Sequence, residues 1–227
     1  LYLAIATLAA QFILEDFFAR ARWFTGGVAG RITEPLTLFG YAFDREQNYY
    51  YVVLFFVIVT FAAAANLMRT RDGRALVAVR DHYLSAEVMG INLAYYRTLS
   101  FGIASLYAGI GGALYAHYLL FVSVEAFNIL FSIQFLGMVI IGGLGSISGS
   151  LMGAAFMVLL PEVVQGFADL VSGSPIDRAL RIGASISYLR EMVLGAAIIL
   201  FLIFEPDGLA HRWRLIKAYW KLYPYSH

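Results

Sequence analysis

Long apolar runs alternate along this chain with short stretches that hold most of its charged residues. The clearest run, residues 49–67, contains no charged side chain. About 17–25 apolar residues are enough for a helix to cross the hydrocarbon core of a bilayer. Similar runs, some of them short, occupy residues 1–18, 99–119, 127–141, 151–164 and 192–204. The pattern predicts an all-α membrane protein, a polytopic bundle with about six apolar segments, some short or interrupted.

The segment 68–98 is the most strongly charged interruption between two of these runs. Its arginines are Arg69, Arg71, Arg74, Arg80 and Arg97. Short loops rich in arginine lie preferentially on the cytoplasmic side of a membrane. We therefore expect this segment to be cytoplasmic.

Within this segment the sequence predicts a short amphipathic helix over residues 81–91. Asp81 is suited to the N-cap, and Gly90 to the C′ position just after the helix. Leu84, Val88 and Ile91 follow at helical spacing and form one apolar stripe. Such a helix either docks on a partner or lies on the lipid surface.

Small residues form a stripe along the run 99–119. They recur at steps of three and four and fall within an arc of about 100° on a helix. The stripe consists of Gly102, Ser105, Gly109, Gly112, Ala113 and Ala116. It allows close packing of a second membrane helix, or it lines a translocation path.

Two glycine-rich stretches interrupt the pattern. One is the break at residues 142–150, which contains Gly142, Gly143 and Gly145 and is either an interrupted helix near a substrate path or a tight hairpin. The other is Thr25, Gly26 and Gly27, which either lets the backbone approach a substrate or forms a surface turn. Both are candidate path or packing elements.

Composition narrows the function classes. The chain is 61% hydrophobic and 14% charged, with a net charge of +1 and no cysteine. These values favour a membrane protein and give no electrostatic indication of nucleic-acid binding. They also exclude thiolate catalysis and cysteine-based metal sites. The histidines show no metal-ligand spacing, and no phosphate-binding G-x-x-x-x-G-K-[ST] loop is present. We predict no catalytic residue, metal or cofactor.

The acidic residues near the apolar runs lie at the ends of those runs. An ion-coupled carrier usually needs an ionisable group deep in the membrane. This distribution weighs against an ion-coupled carrier or channel, which is nevertheless the leading alternative function.

Both ends of the chain indicate its organisation. Leu1 lies inside an apolar run without a basic region before it, so the run is not a signal peptide, and we expect earlier spans to be missing. The tail, 206–227, combines basic and aromatic residues, which predicts a position at the cytoplasmic membrane surface in contact with lipid. We expect residues 1–227 to form a single transmembrane domain.

Several short motifs, taken together and in their order along the chain, resemble those of the permeases of branched-chain amino-acid ABC importers of the LivM type. Their resemblance extends over nearly the whole chain. The motifs are Thr25-Gly26-Gly27, Gly73-Arg74-Ala75, Arg80-Asp81, Ala86 to Asn92, Gly109 to Leu114, Gly142 to Ser146, Pro161-Glu162 and Pro206 to Leu209.

This resemblance implies a multi-pass permease of the bacterial inner membrane that is not an enzyme. It implies that the 81–91 helix is a coupling helix that docks on a separate ATPase subunit, which binds ATP and Mg²⁺. It also implies a second homologous permease subunit and a periplasmic substrate-binding protein as partners. The implied substrate is a branched-chain amino acid, with urea or short amides as related possibilities. The coupling residues would be Arg80, Asp81, Leu84, Ala86, Glu87, Val88, Gly90 and Ile91.

Overall fold

All six predicted apolar segments lie in helices. The computed structural model describes residues 2–38, 40–43, 45–171, 182–205 and 207–222. These residues belong to two compact units, Leu1–Phe127 and Asn128–His227. The expectation of one permease domain over the whole chain stays a prediction.

The first unit is helical apart from short strand pairs. Its helices are α1 (Tyr2–Arg20), α2 (Arg22–Thr25), α3 (Glu46–Arg69), α4 (Arg71–Asp81), α5 (Tyr83–Val88) and α6 (Leu93–Leu119). Its strands are β1 (Arg31–Ile32), β2 (Thr37–Leu38), β3 (Tyr41–Ala42) and β4 (Phe121–Val122). Strand β1 pairs antiparallel with β4, and β2 pairs antiparallel with β3.

Helices α3 and α6 are the long antiparallel elements of this unit. Their 24 and 27 residues correspond to roughly 36 and 40 Å at 1.5 Å per residue. The Tyr107 hydroxyl of α6 donates to the Thr60 carbonyl of α3 at 2.9 Å, and the Tyr49 hydroxyl of α3 donates to the Leu114 carbonyl at 2.6 Å. The β1–β4 pair thus lies at one end of the two helices, which we call the strand end. Helices α4 and α5 lie at the other end.

The second unit contains four described helices. They are α7 (Ile129–Gly142), α8 (Ile147–Val171), α9 (Ile182–Phe204) and α10 (Gly208–Leu222). Helix α8 extends beyond the predicted segment 151–164 at both ends, and Pro161 lies inside it without ending it. The apolar pattern fades before the helix does, so hydrophobicity alone placed its end too early.

A tight hairpin joins α7 to α8. Gly149 and Gly153 of α8 pack directly on the backbone of α7, where added Cβ atoms would overlap the carbonyl oxygens of Gly142 and Met138. Gly143 has φ +103° and packs against the backbone just before α10. A Cβ added there would lie 2.6 Å from the carbonyl oxygen of Asp207. Of the two alternatives for the glycine-rich break, the structure shows the hairpin.

Four helical stretches of the described chain are long and apolar enough to cross a membrane. They are Glu46–Arg69, Leu93–Leu119, Val124–Gly142 and Ile147–Gly166. Residues Glu191–Phe204 and Gly208–Trp220 meet the same test together as a pair bent by 52°. The predicted all-α, multi-pass membrane architecture is confirmed.

The hairpin generates a stability prediction. We expect Gly153→Ala to lower the free energy of unfolding by roughly 1–3 kcal/mol, because the added methyl group forces the two helix backbones apart. Gly166→Ala, in the same helix, is the matched control, because its added methyl group meets no atom within 4 Å. Thermal unfolding of the purified protein in detergent measures both. Equal unfolding midpoints for the two variants would contradict close backbone packing at Gly153.

Candidate functional site: the helical elbow beside the spanning helices

The predicted coupling segment consists of two helices, α4 and α5, and we call it the elbow. A sharp turn at Thr70 starts it. The Thr70 hydroxyl donates to the Leu67 carbonyl at 2.7 Å and accepts from the Gly73 amide at 3.1 Å, capping α4. Gly73 is buried against the end of α3, where any side chain would overlap the Leu67 carbonyl. Sequence reasoning missed α4, although Thr70 followed by Asp72 is a recognisable helix start.

Asp81 does not cap the second helix, so that prediction was wrong. Asp81 is the last residue of α4, and His82, at φ −146° and ψ 77°, separates α4 from α5. The Asp81 carboxylate instead accepts a hydrogen bond from Arg80 at 2.7 Å. This hydrogen bond holds the pKa of Asp81 below its usual value, so the carboxylate is ionised at neutral pH. Both side chains are exposed and pair locally.

Gly90 ends α5 as predicted. The Gly90 amide donates to the Glu87 carbonyl at 2.9 Å, and the Ile91 amide donates to the Ala86 carbonyl at 3.0 Å. Gly90 has φ +83°, and the two hydrogen bonds are those of a Schellman motif at the end of a helix. This motif favours glycine because its C′ residue adopts a left-handed backbone conformation. The prediction of Gly90 as the C′ residue is confirmed.

Helix α5 presents apolar side chains to the outside of the chain. Val88 is 87% exposed, Met89 81% and Leu84 63%, whereas Ala86 is buried against the rest of the unit. Of the predicted stripe, Leu84 and Val88 are exposed and Ile91 is half-buried. A helix of six residues that exposes Leu84 and Val88, followed by an exposed Met89, has a surface that is suited to a partner.

Two side-chain contacts fix the elbow to α6, and a capping residue begins α6 just after it. The Asn92 side chain caps α6 by accepting from the Tyr95 amide at 3.1 Å. The Tyr96 hydroxyl of α6 donates to the Asp72 carboxylate of α4 at 3.0 Å. The Arg97 guanidinium lies 5.8 Å from the ring centre of Tyr83 in α5, a cation–π contact. These two contacts join both helices of the elbow to the first turns of α6.

The small-residue stripe of α6 faces open space within the described chain. Added Cβ atoms at Gly102, Gly109 and Gly112 would meet nothing within 4 Å, and Ser105 is exposed. The contacts of α6 with α3 run through Tyr107 and Leu114 instead. Another helix could pack on the stripe without displacing α3.

A cavity of about 1070 Å³ opens between the start of α3 and the second half of α6. Tyrosines dominate its lining, and their rings give it a largely apolar wall with hydroxyl groups at intervals. The lining tyrosines are Tyr49, Tyr50, Tyr51, Tyr115 and Tyr118.

Thr25, Gly26 and Gly27 form a turn towards the strand end of the unit. The Thr25 hydroxyl donates to the Phe18 carbonyl at 2.6 Å and accepts from the Gly27 amide at 3.1 Å. Gly26 has φ +79°, a left-handed conformation. These contacts are those of a turn that closes the end of α1.

The predicted residues therefore fall into separate groups. The structure brings the coupling residues together in the elbow and places Gly102, Ser105, Gly109 and Gly112 on one face of α6. Gly142, Gly143 and Gly145 belong to the α7–α8 hairpin in the other unit. Among the described residues, no group of three or more histidine, aspartate or glutamate side chains could hold a metal ion.

The family model for the "branched-chain amino acid transport system / permease component" matches residues 2–202. No solved structure matches the chain significantly.

Three relatives carry the same description in their names. The chain is 27% identical to the "High-affinity branched-chain amino acid transport system permease protein LivM" of Salmonella typhimurium, over 92% of this chain and 50% of that protein. The protein of the same name from Escherichia coli gives the same values. The "Probable branched-chain amino acid transport permease protein LivM" of Methanocaldococcus jannaschii is 30% identical over 63% of this chain and 40% of that protein.

The chain spans about half the length of the two bacterial relatives. The family match nevertheless covers residues 2–202, and every site residue predicted from the sequence lies within that range. The chain belongs to the family of branched-chain amino acid transport permease components.

Proposed function

We propose that the chain is the membrane-spanning part of an ATP-driven importer, and that the elbow transmits motion from a separate ATPase to the spanning helices. The observation that carries this proposal is the geometry of α5. Its apolar side chains are exposed, while caps, a hydrogen bond and a cation–π contact fix the elbow to α3 and α6. A helix that only lay on lipid would not need these polar attachments to α6.

The importer would move branched-chain amino acids across the bacterial inner membrane, or a related small polar solute such as urea or a short amide. The relatives' names support the amino-acid substrate. ATP and Mg²⁺ would be bound by the ATPase, and this chain would perform no catalysis. The elbow and the C-terminal tail would then be cytoplasmic, as the arginine content of residues 68–98 favours.

Two further partners fit the unoccupied surfaces of the first unit. A helix of a second, homologous permease would pack on the α6 stripe, where small residues let two helix backbones approach closely. A periplasmic substrate-binding protein would meet the strand end, where Trp23, Val28 and Ile32 are exposed. The α7–α8 hairpin and the Thr25 turn would serve as packing elements.

Substitution at Val88 tests the coupling role. We expect Val88→Ser to weaken binding of the ATPase about tenfold or more, because burying a valine side chain contributes about 1.5–3 kcal/mol. Substrate-stimulated ATP hydrolysis and uptake should fall together. Val163→Ser is the matched control, since it removes another exposed valine, in α8 of the other compact unit. The measurements are co-purification of the ATPase and uptake in proteoliposomes loaded with ATP.

Two results would oppose the proposal. Unchanged ATPase binding and uptake in Val88→Ser would show that α5 is not the docking surface. Uptake that follows an ion gradient and needs no ATPase would support the carrier instead.

The glycine at the end of α5 gives a second test. We expect Gly90→Ala to reduce uptake, because a left-handed backbone costs an alanine about 1–2 kcal/mol and the chain after α5 would change direction. An added Cβ at Gly90 meets nothing within 4 Å, so overlap does not contribute. Gly90→Asn should retain more activity, because asparagine tolerates this conformation. Equal uptake by both variants would show that the cap geometry is not required.

A further inference from the structure

Helix α10 carries two faces of opposite character. With about 100° between successive residues, Leu209, Trp213, Leu215, Ile216, Tyr219 and Trp220 fall on one half of the helix. We call this half the apolar arc. Arg214 and Lys217 lie on the opposite half, and residues 208–222 contain no acidic side chain. This division is typical of helices that lie in the plane of a membrane interface.

The apolar arc is exposed beyond the first turn of α10. Trp213 is 56% exposed and Trp220 78%, and Leu215, Ile216 and Tyr219 are also exposed. Only the first turn is packed closely, through Ala210, which is buried against Gly149 of α8. The arc is therefore a surface that the described chain leaves uncovered.

The one basic residue that interrupts the arc is neutralised. Arg212 lies between Tyr219 and Ile216 around the helix, and its guanidinium pairs with the Glu205 carboxylate at 2.5 Å. Glu205 is the residue directly after α9, so this ion pair also links the two helices. Within the described residues no ion pair involves Arg214 or Lys217, which leaves their charge available to an outside anion.

Continuity with α9 places this surface beside a membrane. Helix α9 is apolar up to Phe204, and α10 begins at Gly208 with a 52° change of direction. Placing α10 across the hydrocarbon core would bury Arg214 and Lys217 without partners, which is unfavourable. The bend lets the apolar arc reach the interface while the cations stay in the headgroup layer.

We propose that α10 is a binding surface for anionic phospholipid: the tryptophan-bearing apolar arc inserts at the interface, and Arg214 and Lys217 bind lipid phosphates. Basic residues near a negatively charged bilayer each gain about 1 kcal/mol, a fivefold preference. The helix thereby anchors the end of α9 to the bilayer surface. This contact does not depend on docking of α5, which belongs to the other compact unit.

Tryptophan quenching tests the proposal on the full chain. The chain has three tryptophans, so Trp23→Phe leaves Trp213 and Trp220 as the reporters. This protein is reconstituted in bilayers that contain either brominated phosphatidylglycerol or brominated phosphatidylcholine at equal mole fraction. We expect stronger quenching by the brominated anionic lipid. Arg214→Gln with Lys217→Gln should lower that preference by up to about fivefold for each charge removed.

The matched control is Arg71→Gln with Arg74→Gln, which removes two exposed arginines of α4 in the other unit. It should leave the quenching preference unchanged. Equal quenching by both lipids in the unsubstituted α10 would overturn the recognition of anionic headgroups. Absence of quenching by either lipid would show that α10 does not lie in the interface. Quenching that disappears when the ATPase is added would assign the arc to a protein partner and would also overturn the proposal.

Discussion

The hydrocarbon core of a membrane requires every backbone amide and carbonyl to find a partner within the protein. This requirement makes the spanning parts of the chain continuous helices and leaves the side chains there mainly apolar. Polar contacts with specific geometry are consequently concentrated at the helix ends. Thr70 caps α4 at the start of the elbow, Gly90 closes α5, and Asn92 caps α6 just after the elbow. The α7–α8 hairpin needs glycine for a separate, steric reason, since added Cβ atoms would overlap the facing backbone.

Concentrating the polar contacts at the ends has a mechanical consequence for the first unit. The elbow is attached to α6 at two places, and α6 runs from there to the β1–β4 pair at the strand end. A force on α5 would therefore move a long rigid element rather than a flexible loop. The open glycine face of α6 would then change its contact with whatever helix packs on it. This is the alternation of access by rigid-body motion that we propose for the importer.

The sequence predicted the helices well because a bilayer-spanning segment declares itself by an uninterrupted apolar run. It also predicted the end of α5, since glycine after an amphipathic turn has a specific conformational meaning. It did not predict α4. The apolar stripe of residues 84–91 indicated a helix that begins at Asp81, whereas Asp81 ends α4 and His82 separates α4 from α5. The extension of α8 from residue 164 to Val171 was also missed, because the apolar pattern ends before the helix does.

The contacts that give the candidate site its shape were beyond the reach of pattern analysis. Tyr96 with Asp72 and Arg97 with Tyr83 join residues from different helices. Neither pair has a periodicity that would reveal it before the path of the chain between α4 and α6 is known. Whether the small-residue stripe of α6 is exposed likewise depends on which face of α6 packs against α3. Sequence alone could identify the small residues but not their neighbours.

Chemical protection of α5 is the most direct test of the central claim that this helix is where the ATPase docks. The chain has no native cysteine, so Glu87→Cys in the assembled transporter introduces the chain's only thiol, on an exposed position of α5. Its rate of reaction with a soluble maleimide would be measured with the ATPase absent, present, and present with ATP. If the ATPase docks on α5, we expect slow labelling when it is bound and a further change on adding ATP. Equal labelling rates in all three conditions would contradict it.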